Sequence, residues 1–199
     1  MTDRRAAGER PLVALIGEAA RAGVHLIQIR ERDLDDRELV ALARAAVAAV
    51  EGTPARVIVN DRVDVALAAG AAGVHLRSDS IPADRVRTIT PPGFLVGRSV
   101  HDEDEAAAVD AGGGCDYLIF GTVFPSSSKP AEHPIAGLDA LGRVCARVAA
   151  PVLAIGGVSI DRAPDAARAG AAGIAAIQLF ASAPDQQQTV DALRRAFDT

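Results

Sequence analysis

A repeated alternation of apolar and polar positions runs along the chain. Stretches in which small and apolar residues recur with a helical period end in Ala-Gly or a similar pair, and a short apolar run follows each of them. The clearest copies pair residues 18–23 with 25–30, 66–70 with 73–76, 106–112 with 116–120, and 166–170 with 173–177. Glycine ends a helix without the steric penalty of a Cβ atom, and a nearly continuous apolar run is typical of a strand buried on both faces. The repeat predicts parallel βα units.

Seven strands and eight helices follow from this pattern. The strands are expected at about 25–30, 56–60, 73–76, 94–98, 116–121, 151–156 and 173–178. The helices are expected at about 10–22, 34–50, 62–69, 82–89, 102–111, 136–148, 160–169 and 185–197, with Asp33 as the start signal of the second.

A closed (β/α)8 barrel has eight strands, and the strand without a counterpart here would come before the first helix. We therefore expect an α/β fold with a single domain over residues 1–199, a TIM barrel whose first strand is truncated or missing at the N-terminus. An open doubly wound sheet is the alternative, but no Gly-x-Gly-x-x-Gly turn supports it.

The composition of the chain argues against several classes of function. The chain has 199 residues, a formal net charge of −5 and only 3% aromatic residues, without a basic run, which argues against a nucleic-acid-binding protein. Its apolar stretches are strand-sized, so no membrane-spanning helix is expected, and residues 1–5 lack the apolar segment of a signal peptide. Cys115 and Cys145 lack CxxC spacing and are expected to be free thiols. We expect a cytoplasmic protein that acts on small molecules, and we leave homo-oligomer formation open.

Lysine is nearly absent from the chain. Of its 21 basic residues, 20 are arginine, and Lys129 is the single lysine. It ends the segment Pro125-Ser-Ser-Ser-Lys129, which follows a predicted strand, and a loop with three hydroxyls and an amine is suited to close over phosphate groups. A coding bias that spared Lys129 by chance, and a flexible serine linker, are the alternative interpretations.

Polar residues cluster where the predicted strands end, which is where the active sites of such barrels lie. These residues are Gln28, Arg30, Arg32, Asn60, Asp61, His75, Arg77, Asp79, Ser80, Arg98, Ser99, His101, Thr122, Gly156, Gly157 and Gln178. So many hydrogen-bond donors over an apolar barrel suit an anionic ligand. The two glycines either bring backbone N–H groups to a phosphate or form a simple tight turn. No two histidines have the spacing of a zinc site.

Two of these groups have both a functional and a structural interpretation. Gln28, Arg30 and Arg32 alternate along a predicted strand and therefore share one face. A buried Arg30 requires a partner, which is either a phosphate or a carboxylate such as Asp61 or Asp79. Asp61 in turn is placed either for Mg²⁺ or as the N-cap of the helix that follows it.

Six segments, in this order along the chain, carry a resemblance to a known family. They are 26–32 (LIQIRER), 59–67 (VNDRVDVAL), 73–76 (GVHL), 97–101 (GRSVH), 116–125 (DYLIFGTVFP) and 154–157 (AIGG). With them the chain resembles the thiamine-phosphate synthase/TenI family over essentially its whole length. Residues 2–4 are similar to the end of the family's first strand.

The resemblance implies a transferase of thiamine biosynthesis, which couples hydroxymethylpyrimidine pyrophosphate to a thiazole phosphate and releases pyrophosphate, with Mg²⁺. By position, it implies a site for the pyrimidine pyrophosphate at Gln28, Arg30, Arg32, Asn60, Ser99 and Lys129. It implies a thiazole phosphate site at Ser126, Ser128, Gly156, Gly157 and the end of the last strand, at Gln178, and a Mg²⁺ ligand at Asp61. Arg30, Ser99 and Lys129 are the predicted catalytic residues, because departure of pyrophosphate requires cations and donors that stabilise the leaving group.

The chain departs from the synthase pattern at several of these positions. Ser80 stands where that pattern has a second Mg²⁺ carboxylate, and Arg77-Ser78 stands where it has Gly-Gln. Arg32 replaces a lysine of the pyrophosphate group, and the bulkier Gln178 replaces a serine. These departures bear on metal binding first, because a hydroxyl is a weaker Mg²⁺ ligand than a carboxylate.

Two other functions stay open on the residues alone. The TenI branch, a metal-independent thiazole tautomerase, shares the segments at 29–32 and 97–101. Thr122 replaces the proton-transferring histidine of that branch, which would leave His101 or Asp79 as the proton carrier. The third candidate, of a different class, is a barrel that binds a phosphate ligand without catalysis.

Overall fold

The computed structural model describes residues 1–126 and 134–197, in which seven strands alternate with helices. The strands are β1 (Leu26–Ile29), β2 (Arg56–Asn60), β3 (Gly73–Leu76), β4 (Leu95–Val100), β5 (Tyr117–Phe120), β6 (Val152–Ile155) and β7 (Gly173–Ala175). The helices are α1 (Leu12–Arg21), α2 (Asp36–Ala49), α3 (Val63–Ala69), α4 (Ala83–Arg87), α5 (Glu103–Gly112), α6 (Gly137–Arg147), α7 (Ala163–Arg168), α8 (Gln178–Ala181) and α9 (Gln186–Phe197).

The first six strands lie within two residues of their predicted bounds, whereas the prediction for the seventh was wrong at its end. β7 stops at Ala175, and the chain turns at Ile177 into the short helix α8. The carbonyl of Ile177 accepts hydrogen bonds from the N–H groups of Phe180 and Ala181, at 3.1 and 2.9 Å. A short apolar run fits a strand and a helical turn equally well by its pattern, so the sequence could not separate the two.

The contacts divide the chain into two compact units, the first of which contains residues 1–75, 90–95 and 177–191. In this unit β1 pairs in parallel with β2, with Ile29 opposite Val59, and β2 pairs in parallel with β3. Thr2 lies along β1, because its N–H donates to the carbonyl of Gln28 at 2.8 Å and its hydroxyl accepts from the N–H of Arg30 at 2.9 Å. These contacts agree with the strand-end character predicted for residues 2–4.

The second unit contains residues 76–89, 96–176 and 192–199. Here β4 pairs with β5, β5 with β6, and β6 with β7, all in parallel. The core of this unit is formed by fully buried side chains of the strands and of α6, among them Leu118, Phe120 and Leu141. Burial of each such side chain contributes about 1.5–3 kcal/mol. The continuous apolar runs of the sequence are thus strands covered on both faces.

The N-terminus of α2 is capped by Asp35, so the prediction that Asp33 starts this helix was wrong. The Asp35 carboxylate accepts from the N–H of Glu38 at 2.8 Å, and the Glu38 carboxylate accepts from the N–H of Asp35 at 3.1 Å, which is a complete capping box. Asp33 instead accepts from the guanidinium groups of Arg4 and Arg5 at 2.8 and 3.0 Å.

Replacing Asp35 with alanine is expected to lower the free energy of unfolding by about 1 kcal/mol, because the N–H of Glu38 loses its side-chain acceptor. Asp33→Ala is the matched control, and it is expected to cost less than about 0.5 kcal/mol because its ion pairs are exposed. Urea denaturation of both variants measures the difference. Equal losses in the two variants would contradict the capping role of Asp35.

Cys115 and Cys145 are free thiols, as predicted, and burial raises the pKa of both. Within the described part of the chain, none of the helices has the length and apolar character needed to cross a bilayer. The cytoplasmic location and homo-oligomer formation stay predictions.

Candidate functional site

In the first unit, polar side chains from β1 and β2 meet at the carboxyl ends of these strands. Gln28 is 5% exposed, and its Nε2 donates to Oδ1 of Asn60 at 2.9 Å. This hydrogen bond fixes the Asn60 amide so that its own Nδ2 donor faces away from Gln28. Arg30 follows two residues later on the same face of the chain and is partly buried.

The end of β1 is rich in positive charge. Burial, and next the charge of Arg32, lower the pKa of Arg30, while Asp3 and Glu31 act in the opposite direction. The Glu31 carboxylate is itself buried and accepts from the N–H of Arg4 at 3.1 and 3.2 Å. The pKa shift means that the folded chain disfavours the Arg30 charge, and an anion bound here would relieve that cost. Arg32 is exposed in the turn that follows β1, and the anion site at Gln28, Arg30 and Arg32 stays a prediction.

Asp61 directly follows β2 in a left-handed backbone conformation, with φ of 57°. Its N–H donates to the carbonyl of His75 at 2.8 Å, which holds this conformation. Arg62 stands at the N-cap position of α3, so the interpretation of Asp61 as the helix cap was wrong. Asp61 is partly buried and lies at the end of β2.

His75 is 3% exposed on β3, beside the backbone of Asp61. Burial, and next the charge of the N-terminal amine, lower its pKa to about 4. Below the ordinary pKa of 6.5 the unfolded chain binds a proton that the folded chain does not bind. His75 therefore contributes stability that is fully present above pH 6.5 and is lost as the pH falls towards 4.

We expect the free energy of unfolding to decrease by on the order of 3 kcal/mol between pH 6.5 and pH 4 because of His75. His75→Gln should flatten this slope, most clearly between about pH 6.5 and 5, where few carboxylates titrate. Denaturation midpoints measured across this range provide the check, with His101→Gln, at an exposed histidine, as the control. An unchanged slope in His75→Gln would show that His75 is not the titrating group.

In the second unit, the loop after β3 folds on itself. The Arg77 guanidinium donates to both carboxylate oxygens of Asp79, at 2.8 and 2.5 Å, and this hydrogen bond lowers the pKa of Asp79. The Ser80 hydroxyl accepts from the N–H of Arg77 at 2.9 Å. Asp79 is thus held as the anion of an ion pair, which makes it a poor proton carrier.

Arg98 anchors this same loop from β4. Its guanidinium donates to the carbonyls of Ser78, Ser80 and Ile81 at 2.7, 2.9 and 2.9 Å, and the side chain is only 8% exposed. Arg98 is one of the polar strand-end residues predicted from the sequence, but the sequence predicted no role for it. An arginine that binds backbone carbonyls has no characteristic residue type or spacing among its partners. Ser99 follows it and is partly buried.

The two segments that follow β5 and β6 run side by side within the second unit. The N–H groups of Val123 and Phe124 donate to the carbonyls of Ile155 and Gly156, at 2.9 and 3.0 Å. Gly156 and Gly157 have φ values of 95° and 61°, which a residue with a Cβ rarely adopts. These values fit a tight turn, and phosphate binding by its backbone N–H groups stays a prediction.

The remaining predicted positions are placed as follows. Ser126 is partly buried at the end of the segment after β5, and Ser128 and Lys129 lie outside the described residues. Gln178 opens α8, and its Oε1 accepts from the Ser182 hydroxyl at 3.1 Å. His101 is exposed, and its N–H and its Nδ1 both contact Oε2 of Glu105. The next residue, Asp102, is the N-cap of α5, and its carboxylate accepts from the N–H of Glu105 at 2.8 Å.

The types of side chain near the strand ends indicate whether they could bind Mg²⁺. Within residues 1–126 and 134–197, no three His, Cys, Asp or Glu side chains form a group that could hold a metal ion. The loop after β3 offers only Ser80 and an ion-paired Asp79. Mg²⁺ is commonly held by one or two carboxylates together with substrate phosphates and water. Asp61 fits that single-carboxylate arrangement, and the loop after β3 does not fit a second carboxylate ligand.

Comparison with known proteins decides the family. The sequence profile of the thiamine monophosphate synthase family matches residues 1–180. The chain belongs to the thiamine monophosphate synthase family. The thiamine-phosphate synthase of Roseiflexus sp. (strain RS-1) is 43% identical over 97% of this chain and 81% of its own length. That of Methanoculleus marisnigri is 39% identical over 98% of this chain and 92% of its own length.

Solved structures agree with this membership. Thiamine phosphate pyrophosphorylase from Pyrococcus furiosus matches with a TM-score of 0.86 and 33% identity, over 99% of this chain and 93% of that one. 3-Hexulose-6-phosphate synthase, at 21% identity and a TM-score of 0.72, shares the fold alone. The alternation of parallel strands and helices, together with this match, confirms the predicted fold class, an α/β TIM barrel. Membership of the thiamine monophosphate synthase family confirms the prediction that the chain is an enzyme.

Proposed function

We propose that the chain is a thiamine-phosphate synthase-type transferase, which couples hydroxymethylpyrimidine pyrophosphate to a thiazole phosphate. The bond between the pyrimidine methylene carbon and the pyrophosphate oxygen breaks, a bond from that carbon to the thiazole forms, and pyrophosphate leaves. Family membership supports this reaction. The observation that carries the proposal is the cationic end of β1, where Arg30 is partly buried under the influence of the Arg32 charge, two residues after the Gln28 that binds Asn60.

The residues of the first unit are suited to the leaving group. Negative charge builds up on the pyrophosphate as its bond to carbon breaks, and donors fixed in advance stabilise that charge more in the transition state than in the ground state. Arg30 and Arg32 supply positive charge, and Asn60 supplies a donor whose orientation is set by Gln28. For Ser99 and Lys129, the assignment to the same substrate rests on the resemblance alone.

The second unit supplies a proposed site for the thiazole phosphate. The Gly156-Gly157 turn brings backbone N–H groups close to a ligand, and Ser126 adds a hydroxyl. Backbone N–H groups in such turns bind phosphate oxygens well. Ser128 and Gln178 belong to this proposed set through the resemblance.

We also propose that Mg²⁺ binds through Asp61. When bound, the ion supplies positive charge that neutralises pyrophosphate oxygens. The single-carboxylate donor set supports weak binding by the protein alone, with the substrate providing most of the affinity. Calorimetry should therefore detect Mg²⁺ binding in the presence of pyrophosphate and little without it. Asp61→Asn should abolish the pyrophosphate-dependent signal, and tight binding of Mg²⁺ to the free protein would contradict this arrangement.

Release of pyrophosphate is the direct test of the proposed reaction. Purified protein with both substrates and Mg²⁺ should produce pyrophosphate and the coupled product in equal amounts, and omission of either substrate should abolish both. A folded sample that releases none would refute the proposal. Metal-independent conversion of a thiazole carboxylate phosphate would instead identify a tautomerase, and binding of thiazole phosphate without either reaction would identify a binding protein.

A further inference from the structure

Arg162 is a residue to which neither the sequence patterns nor the family resemblance assigns a role. It stands at the N-cap position of α7, within the second unit, five residues after Gly157. Its guanidinium makes three contacts with segments that follow two different strands. These contacts involve the segment after β6, which begins with the Gly156-Gly157 turn, and the segment after β5, which leads to Ser126.

The geometry of these contacts is specific. Nη1 of Arg162 donates to the carbonyl of Gly157 at 2.7 Å and, at a longer 3.4 Å, to the carbonyl of Pro125. The guanidinium carbon lies 5.3 Å from the centre of the Phe124 ring, within the range of a cation–π contact. Phe124 is 9% exposed, so the ring is a fixed surface for the guanidinium. One side chain thus joins the two segments.

The two segments leave no room at their closest approach. A Cβ atom at Gly157 would lie 2.2 Å from the carbonyl oxygen of Pro125 and 2.7 Å from that of Phe124. Two carbonyl oxygens therefore face the Gly157 backbone, and they carry partial negative charge. The Arg162 guanidinium places positive charge against two of the carbonyls in this crowded region, those of Gly157 and Pro125, which offsets their mutual repulsion.

The bond to Gly157 also orients a neighbouring peptide group. In a trans peptide, the C=O of one residue and the N–H of the next point in opposite directions. Because the Gly157 carbonyl is directed to Arg162, the N–H of Val158 is directed away from Arg162. In the same way, the Gly156 carbonyl is bound by the N–H of Phe124, which directs the N–H of Gly157 away from Phe124. Arg162 thereby sets the direction of one of two adjacent backbone donors.

We infer that Arg162 is a positioning residue for the thiazole phosphate. It fixes the Gly157–Val158 peptide as a phosphate donor and holds the residues before Ser126 against the Gly156-Gly157 turn. It does so from behind the turn, through carbonyls, without contacting the phosphate itself. This inference rests on the proposed function, because it concerns the phosphate of one of the two substrates in that reaction.

The test compares Arg162→Ala with wild-type protein for each substrate separately. Loss of a charged hydrogen bond and of the stacking contact is expected to raise the KM of the thiazole phosphate, and its Kd in calorimetry, about tenfold to hundredfold. The KM of the pyrimidine pyrophosphate should change by less than about threefold, since Arg30, Arg32 and Asn60, which are proposed to bind it, lie in the first unit and do not contact Arg162. A general structural defect would move both constants together, so the split between substrates is the decisive readout.

Three comparisons complete the design. Arg162→Lys keeps the charge but loses the planar stacking, and it should lie between wild type and Arg162→Ala. Millimolar guanidinium should partly restore the affinity of Arg162→Ala, while equal urea should not. Arg168→Ala removes an exposed arginine of the same helix, paired with Asp165, and should bind as wild type does.

The outcomes separate the two proposals. If wild-type protein releases no pyrophosphate, the proposed function is refuted. The affinities of wild type and Arg162→Ala for the thiazole phosphate, measured by calorimetry, then still test the positioning role of Arg162. If wild-type protein is active and Arg162→Ala binds the thiazole phosphate as tightly as wild type, the positioning role is refuted. Equal changes for both substrates would refute it as well. Should Arg162→Ala not fold, Arg162→Lys is judged by the same constants.

Discussion

Replacing Arg30 with alanine is expected to lower kcat/KM for the pyrimidine pyrophosphate about 10³-fold, because the departing pyrophosphate loses its partly buried cation. The fold should not be weakened by this change. Burial and the charge of Arg32 lower the pKa of Arg30, which means that the folded protein holds this charge at a cost. Removing the Arg30 charge also removes this free-energy cost from the folded state. We therefore expect a thermal midpoint equal to that of wild type or above it.

Steady-state kinetics and thermal denaturation, measured on the same preparation, check both halves of this expectation. Arg44→Ala is the matched control in the same unit. The Arg44 guanidinium donates to the carbonyl of Ala68, at 3.3 Å from Nε and 3.0 Å from Nη2, on an exposed surface. Arg44→Ala should keep full activity and lose a little stability, the reverse of Arg30→Ala. If Arg30→Ala unfolded readily and kept its activity, Arg30 would be a structural ion-pair residue.

The second large effect is expected for Gly157→Ala. Its Cβ atom would lie 2.2 Å from the Pro125 carbonyl oxygen, and the backbone has φ of 61°, so the substitution adds a clash with backbone to conformational strain. The segments after β5 and β6 must separate to admit the methyl group. We expect the affinity for the thiazole phosphate to fall about 100-fold and the free energy of unfolding to fall by about 3 kcal/mol.

Gly52→Ala separates the effect of the backbone clash from the effect of the conformational strain. Gly52 has φ of 77°, and a Cβ atom built there has no neighbour within 4 Å. Its substitution should cost about 1 kcal/mol from conformational strain alone and leave ligand affinity unchanged. Urea denaturation and calorimetry with the thiazole phosphate measure both variants. Identical results for the two glycines would mean that the crowding at Gly157 has no energetic consequence.

The fold was largely predictable because its signal is local and repeated. Strands such as β5 are apolar on both faces, and glycines such as Gly70, with φ of 68°, end helices where the pattern placed an end. The errors arose where the pattern was ambiguous. Asp33 and Asp35 are both suitable N-cap residue types, and in the structure Asp35 forms the capping box with Glu38 while Asp33 pairs with Arg4 and Arg5.

For the site, the sequence predicted which residues collect at strand ends, and tertiary contacts decided what each of them does. By its pattern Asp61 was equally a cap or a metal ligand, and the structure gives the N-cap position of α3 to Arg62 and a left-handed backbone to Asp61. Asp79 was open as a proton carrier until its two hydrogen bonds from Arg77 held it as an anion. The sequence gives the type of each side chain, whereas the hydrogen-bond and ion-pair partners of that side chain depend on distances that only the folded structure defines.

The sequence by itself determined the parallel βα architecture, the family resemblance and the strand-end positions of the side chains proposed to bind anions, because helical period, strand period and residue type are properties of neighbours along the chain. Only the tertiary structure decided the roles of Arg98 and Arg162. Both bind backbone carbonyls of residues brought near by folding, and every residue offers a carbonyl, so no residue type or spacing marks their partners in advance.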